Sequence, residues 1–336
     1  MKTVARLSDK HRRELFAATA GKMRVVDAVI EKDFWACFVL KEIFADKAMR
    51  DTFLFKGGTS LSKCYGLIKR FSEDIDLILD WRQLGITDKL AWQNRSATQQ
   101  DKFNQQIDDL SGDFIHARIL PQLKTLLPVL ELKIDPRDGN VILVRYPALF
   151  VHDYFLDYIK LEIGPRASRI PKNEVSISSY AGEHYPDIFE QPWFKVMAIT
   201  AERTFWEKAT ILHQVAFADE TKSILPRYSR HFYDLGQMSN SAVKQSALSN
   251  LELLRDVAEF KSKFYRSPAA RYDLARPGTL KLLPSPAKLQ ELKTDYIKMQ
   301  EMFFVAPPAF ETLIADLKKL EDEINSLPFD DAGFRR

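Results

Sequence analysis

Cysteine and glycine are scarce in this chain of 336 residues, and neither sign of charge prevails. Two cysteines, Cys37 and Cys64, cannot form the disulfide framework that staples small secreted domains. Twelve glycines and 16 prolines exclude a collagenous or low-complexity chain, and 12% aromatic residues argue against disorder. No apolar run reaches the roughly 18–20 residues needed to cross a bilayer, so no membrane partner is expected. The first residues, MKTVARLSDKHRREL, carry charge where a secretory leader would be apolar, which predicts a cytoplasmic protein with reduced thiols. Lys and Arg number 49 against 46 acids, a net of +3, so any nucleic-acid contact must come from a local patch. The length suggests about two domains.

Hydrophobic spacing predicts a helix pair over 7–45, divided at Gly21. Residues 52–56 read as a strand, Gly57-Gly58 as a turn, 59–70 as a helix and 74–79 as a second strand. A long polar helical segment over 89–127 precedes three strands at 141–146, 157–163 and 175–180. Helical periods then take over, at 199–217, 228–238 and 241–265. The proline-rich stretch 267–286 reads as a loop or linker, followed by helices at 287–304 and 308–327. The expected division is an N-terminal helical segment (1–50) packed on the core, an α/β core (51–195) and a helical C-terminal domain (196–336).

The stretch FKGGTSLSKCYGLIKRFSEDIDLIL, residues 55–79, carries the chemistry. Side chains alternate along a strand, so Asp74 and Asp76 face one way while Ile75 and Leu77 face the other. Two neighbouring carboxylates repel and are costly to desolvate unless a cation lies between them, and hard oxygen ligands favour Mg²⁺ or Mn²⁺. Gly57 and Gly58 allow backbone N–H groups close to a ligand, and a helix opening at Thr59 or Ser60 suits a phosphate. A P-loop is excluded, because Ser62 stands where its second glycine is required and Cys64 where its metal-binding hydroxyl belongs. No Ser-His-Asp or Cys-His arrangement is suggested, and His152 and His213 lack companions at metal-ligand spacing.

Gly-Gly-Thr-Ser, a helix and Asp-x-Asp, in that order, resemble the nucleotidyltransferase signature of the DNA polymerase beta superfamily. The fuller string, Lys56 before the glycines and Arg70-Phe71-Ser72-Glu73-Asp74-Ile75-Asp76-Leu77 after them, is similar to the AbiEii type, the toxins of type IV toxin–antitoxin systems, to which the mycobacterial MenT toxins are related. Further blocks match in order: Glu31-Lys32-Asp33-Phe34-Trp35, Thr204-x-x-Glu207-Lys208, Arg227-x-x-Arg230-His231-Phe232-Tyr233-Asp234-Leu235, with His231 where the family has Asp, and Asp295-Tyr296-x-x-Met299. The resemblance implies an α+β fold: a polymerase-beta-like nucleotidyltransferase core with a mixed sheet, N-terminal helices and a helical C-terminal domain.

It further implies transfer of a nucleoside monophosphate from an NTP, with pyrophosphate released, and a tRNA 3′ end as the acceptor. Blocked translation, growth arrest and phage defence would follow, opposed by a neighbouring AbiEi-like antitoxin that needs no stable complex with the toxin. Asp74, Asp76 and Glu162 are the expected metal ligands, with Mg²⁺ or Mn²⁺ as cofactor. The superfamily mechanism implies a third carboxylate on a neighbouring strand, and Glu162 in Lys160-Leu161-Glu162-Ile163, which alternates faces as a strand should, is chosen either to complete the metal site or to take the acceptor proton. Lys56, Gly57, Gly58, Thr59, Ser60, Lys63, Ser72, Lys208 and Arg230 are the expected nucleotide contacts. Lys208 would neutralise charge on the leaving pyrophosphate, and Asp234 is expected to be necessary. On a helix, Arg230 and Asp234 fall four apart, which suits either a surface ion pair or an active-site wall. Lys261, Lys263, Arg266, Arg271 and Arg276, interleaved with Phe264, Tyr265 and Tyr272, form the candidate RNA-contact stretch. Two alternatives stay open: a nucleotide- or RNA-binding regulator without turnover, and transfer to a protein hydroxyl.

Overall fold

A computed structural model describes residues 1–153 and 155–328; residues 329–336, the end of the expected C-terminal domain, lie outside the described residues. The chain divides into two compact units, one of Met1–Gly66 with Phe71–Ile199, the other of Leu67–Arg70 with Thr200–Arg336.

The first unit is built on a seven-stranded mixed sheet. Its strands are β1 (Phe53–Lys56), β2 (Ile75–Leu79), β3 (Glu131–Asp135), β4 (Asp138–Arg145), β5 (Tyr158–Gly164), β6 (Lys172–Ile177) and β7 (Phe194–Ile199). They lie in the order β3-β4-β5-β2-β1-β7-β6. β2 runs parallel to β5 and β1 parallel to β7, while β1 and β2 are antiparallel. Buried on both faces, the central strands read as nearly continuous apolar runs, FLF and LIL. On one face Phe53, Phe55, Ile75, Leu77, Leu161 and Ile163 join the main core with the helix Asp27–Ala45. The other face carries the smaller cluster of Leu54, Ile78 and Ile199, and by strand parity also Lys56, Asp76 and Glu162.

Several elements differ from the sequence expectation, each for a local reason. The first long helix, Asp9–Met23, runs through Gly21 and stops at Arg24, which takes a left-handed φ of 57°. The glycine helix is short, Gly57–Lys63, and does not continue to Arg70. The polar segment 89–127 is broken by a new N-cap at Ser96, with Gln99 completing a capping box, and by a π turn at Ile115–Ile119. Strands β3 and β7 were not expected. β3 is a charged edge strand, and β7 is an apolar run in front of a helix, fixed by its pairing with β6.

The second unit is helical, with Ala201–Ala216, Ser229–Ser239, Ala242–Leu248, Leu251–Phe264, Pro286–Lys298 and Phe310–Asn325 as its main helices. The helix expected over 241–265 is two, because Asn250 caps a new one by accepting from the Leu253 N–H. Leu67–Arg70 belongs to this unit as an extended segment. Phe304 N–H donates to the Lys69 carbonyl at 2.9 Å, and Arg70 forms a bridge with Phe303. These pairings explain why a helix does not span 64–70. The stretch 267–286 is a packed loop and not a linker: Tyr272, Leu280 and Leu282 are buried. Glu321 accepts from the Leu282 N–H, and the buried His213 stands between the Arg271 carbonyl and the Lys281 N–H, at 2.9 and 3.1 Å. Among the described residues no helix is long and apolar enough to cross a membrane.

Candidate active site

Strand register places the acids. Asp76 pairs with Lys56 across the antiparallel β1–β2 ladder and with Glu162 across the parallel β2–β5 ladder. Residues at matched positions in adjacent strands share a face with Cβ atoms about 5 Å apart, so Lys56, Asp76 and Glu162 form a row on the sheet face away from the main core. Asp74 enters β2 two residues earlier. Asp74, Asp76 and Glu162 are all half-buried, whereas the intervening Ile75 and Leu77 are fully enclosed.

The glycine turn is fitted to this row. Gly57 has φ +83°, a conformation that glycine adopts freely and other residues adopt with strain. A Cβ added there would stand 1.9 Å from Asp76 Oδ2, so the Asp76 carboxylate lies directly over the Gly57 backbone. No side chain caps the Gly57–Lys63 helix, which leaves its first-turn N–H groups without a side-chain acceptor. Its hydroxyls are committed inward: Thr59 Oγ1 donates to the Asp74 carbonyl at 2.5 Å and Ser60 Oγ to the Gly57 carbonyl at 2.9 Å. Gly57→Ala is therefore expected to combine backbone strain of about 1–3 kcal/mol with a displaced carboxylate. A fall of about 10²-fold in whatever activity depends on the Asp76 carboxylate, with the fold retained in circular dichroism, is the expected result.

An ion fits this donor set as a carboxylate pair. Among the described residues no group of three or more His, Cys, Asp or Glu side chains is gathered to hold a metal. Glu162 is matched in register to Asp76 on the next strand, and Asp74 immediately precedes β2. Mg²⁺ is commonly held by one or two carboxylates with substrate phosphates supplying the rest, and the half-exposed Asp74 and Asp76 suit that arrangement.

The second unit has its own buried ionic network. Arg70 makes a two-pronged ion pair with Asp234, Nε to Oδ1 and Nη2 to Oδ2 both at 2.8 Å. Lys208 Nζ donates to Asp234 Oδ2 at 2.7 Å and lies 3.0 Å from His231 Nδ1. Burial would push the Asp234 carboxyl up, but Arg70 and Lys208 hold it well below the ordinary carboxylate range. Burial pulls the Lys208 ammonium below the usual lysine value against the opposing pull of Asp234. The Ser229–Ser239 helix that carries Asp234 is set by Asp295, which accepts from the Arg227 and Ser229 N–H groups at 2.6 and 2.9 Å.

Burial also lowers His213 and His231, with the Lys208 charge adding to the effect on His231. An unfolded chain takes up these protons as pH falls through about 6.5, whereas the native state resists until a lower pH. Stability is lost across that window, at up to about 1.4 kcal/mol per pH unit for each ring. Thermal melts are expected to show a lower midpoint at pH 5.5 than at pH 7.5, and equal midpoints would contradict the neutral assignment.

The pattern of the family described as nucleotidyl transferase AbiEii toxin, type IV TA system, matches residues 39–316. The chain belongs to the AbiEii family. That family is described as one of nucleotidyltransferase toxins of type IV toxin–antitoxin systems. Among solved structures the chain is similar to MenT4, a nucleotidyltransferase toxin from Mycobacterium tuberculosis H37Rv, with a TM-score of 0.53 and 18% identity over 95% of this chain and 92% of that one. That likeness concerns the fold, which is the mixed α/β architecture expected. The chain is also 27% identical over 232 residues to pre-mRNA-splicing factor CEF1 of Debaryomyces hansenii, covering 64% of this chain and 33% of that protein. It thus spans about a third of the length of that curated relative.

Within this AbiEii chain, the site expectations divide. Lys56, Gly57, Gly58, Thr59, Ser60, Ser72, Asp74, Asp76 and Glu162 all fall in the first unit, and Lys208, Arg230 and Asp234 in the second. Lys63 turns inward: its side chain is 3% exposed and ion-paired with Asp33 at 2.9 Å, so it is not a nucleotide contact. Asp234 is buried, its cationic partners are Arg70 and Lys208, and the surface pair with Arg230 is absent among the described contacts. In the expected RNA stretch, Phe264 and Tyr272 are buried and offer no stacking face, and Tyr265 is exposed. Lys261 Nζ donates to the Glu207 carbonyl and Arg271 pairs with Asp273. Sequence reasoning gave no role to Arg70, Lys32 or Glu73. The available signal was three consecutive charges, Glu31 to Asp33, in the first half of a largely apolar helix.

Proposed function

We propose that this AbiEii nucleotidyltransferase moves a nucleoside monophosphate from a metal-bound NTP to an RNA 3′ end, a tRNA above all, and thereby arrests growth as a toxin and in phage defence. The observation that carries the chemistry is the Asp76 carboxylate lying over Gly57 in a row with Glu162 and Lys56. Asp74 and Asp76 would hold Mg²⁺ or Mn²⁺, which when bound supplies positive charge to the triphosphate. First-turn amides of the Gly57–Lys63 helix would donate to phosphate oxygens, and Lys56 would add a cation beside them. Glu162 would accept the proton of the attacking hydroxyl, and no protein nucleophile is required. Asp234 enters as a residue on which activity depends: it fixes Lys208 and Arg70, and Arg70 opens the RFSEDID stretch leading into the paired acids. A polynucleotide acceptor is supported by the residues between Lys261 and Lys281, where six bases stand against one acid.

Sequencing RNA 3′ ends after induction tests this reading. Non-templated nucleotides on tRNA ends are expected with the wild-type chain and not with Asp76→Asn. Unaltered RNA ends with label from NTP on protein would overturn the RNA acceptor and keep the transferase.

A further inference from the structure

Glu31, Lys32 and Asp33 are buried side by side in the helix Asp27–Ala45, at 0%, 1% and 5% exposure, and substrate chemistry gives them no task. Successive helical residues are turned by about 100°, so the three point to different neighbours. Glu31 accepts from the Leu149 and Phe150 N–H groups at 2.9 and 3.0 Å. Lys32 Nζ donates to Glu73 Oε2 at 2.8 Å and to the Leu156 carbonyl at 2.9 Å. Asp33 pairs with Lys63 and accepts from the Tyr180 N–H at 2.7 Å. Buried ion pairs are often no more stabilising than apolar replacements of the same size, so stability alone does not account for the Lys32–Glu73 and Asp33–Lys63 pairs.

Their partners adjoin the site. Glu73 immediately precedes Asp74, Lys63 closes the glycine helix, and Leu149 to Leu156 lead into β5, which carries Glu162. Residues 72–74 are held from two sides. Thr59 Oγ1 holds the Asp74 carbonyl, while the Glu73 side chain, 4% exposed, is tied to Lys32 and accepts from the Leu156 N–H at 3.2 Å. Burial alternates from Phe71 to Leu77, so Glu73 lies on the enclosed side with Ile75, and Asp74 lies on the more open side with Asp76. We propose that Lys32 and Glu73 are a positioning pair that fixes the Asp74 carboxylate beside Asp76 for metal binding. The inference rests on the metal-dependent reading above and assigns a task to Lys32 of the Glu31-Lys32-Asp33 block.

The test compares wild type with Lys32→Met/Glu73→Gln, which removes both buried charges together, and with Glu73→Asp, which keeps the charge and shortens its reach. Mn²⁺ binding in the presence of each NTP is followed by electron paramagnetic resonance, alongside melting temperature and kcat. Supporting groups behind metal ligands typically change affinity or activity about 10–100-fold. The expected result is Mn²⁺ affinity at least about tenfold weaker in both variants, with a melting midpoint near that of wild type in at least one. Wild-type Mn²⁺ affinity and kcat in a folded variant would overturn the positioning pair and leave the proposed function standing. A wild-type chain that binds no Mn²⁺ with any NTP would overturn the metal-dependent reading, and the inference with it.

Discussion

Asp76→Asn is expected to lower nucleotidyl transfer about 10³-fold or more, with little change in melting temperature. The carboxylate is half-exposed, lies over Gly57 and sits between Lys56 and Glu162 in the register. An amide keeps that shape and removes the charge, so packing is preserved while the electrostatic function is lost. A thousandfold loss corresponds to about 4 kcal/mol of transition-state stabilisation, within what a metal-holding carboxylate supplies. Transfer of α-labelled NTP and release of pyrophosphate measure it. Activity within tenfold of wild type would remove Asp76 from the site.

Asp234→Ala is expected to act in the opposite way, through the fold first. Asp234 is fully buried and balances two buried cations, Arg70 and Lys208. Removing one partner of such a network leaves uncompensated charge in the interior, which costs about 3–5 kcal/mol. For a unit of this size the corresponding fall in midpoint is roughly 6–20 °C. Because the native carboxyl is held below its unfolded value, its stabilisation is complete at pH above about 4 and is lost only as pH falls further through the depressed native value. The contribution of the carboxyl's own titration is therefore equal at pH 6 and pH 8, by contrast with the histidine-linked loss in weak acid. Differential scanning calorimetry separates the two, and an Asp234→Ala midpoint within 2 °C of wild type would contradict the buried network.

The parts legible in the sequence were those with a short period. Alternation put Asp74 and Asp76 on one face and Ile75 and Leu77 on the other, and it singled out Glu162 on the neighbouring strand at matched register. Partner choice was not legible, because it is made across the chain: Lys32 meets Glu73 across 41 residues, and Arg70 meets Asp234 across 164. Lys63 shows the same limit. The resemblance makes it a nucleotide contact, and only its pairing with the buried Asp33 shows that it faces the core. The helix drawn from 59 to 70 failed because Lys69 and Arg70 find partners at Phe303 and Phe304, which local propensity does not register. Strand β7 was missed since a six-residue apolar run in front of a helix carries no period of its own.

The central claim is that Asp74, Asp76 and the Gly57–Lys63 helix together hold a metal-bound triphosphate. Anomalous diffraction from crystals grown with Mn²⁺ and a non-hydrolysable NTP tests it directly. The predicted result is a manganese peak bound by the Asp74 and Asp76 carboxylates, with phosphate oxygens accepting from the amides of Gly58 to Ser60. A triphosphate bound elsewhere, or manganese held without either aspartate, would contradict it.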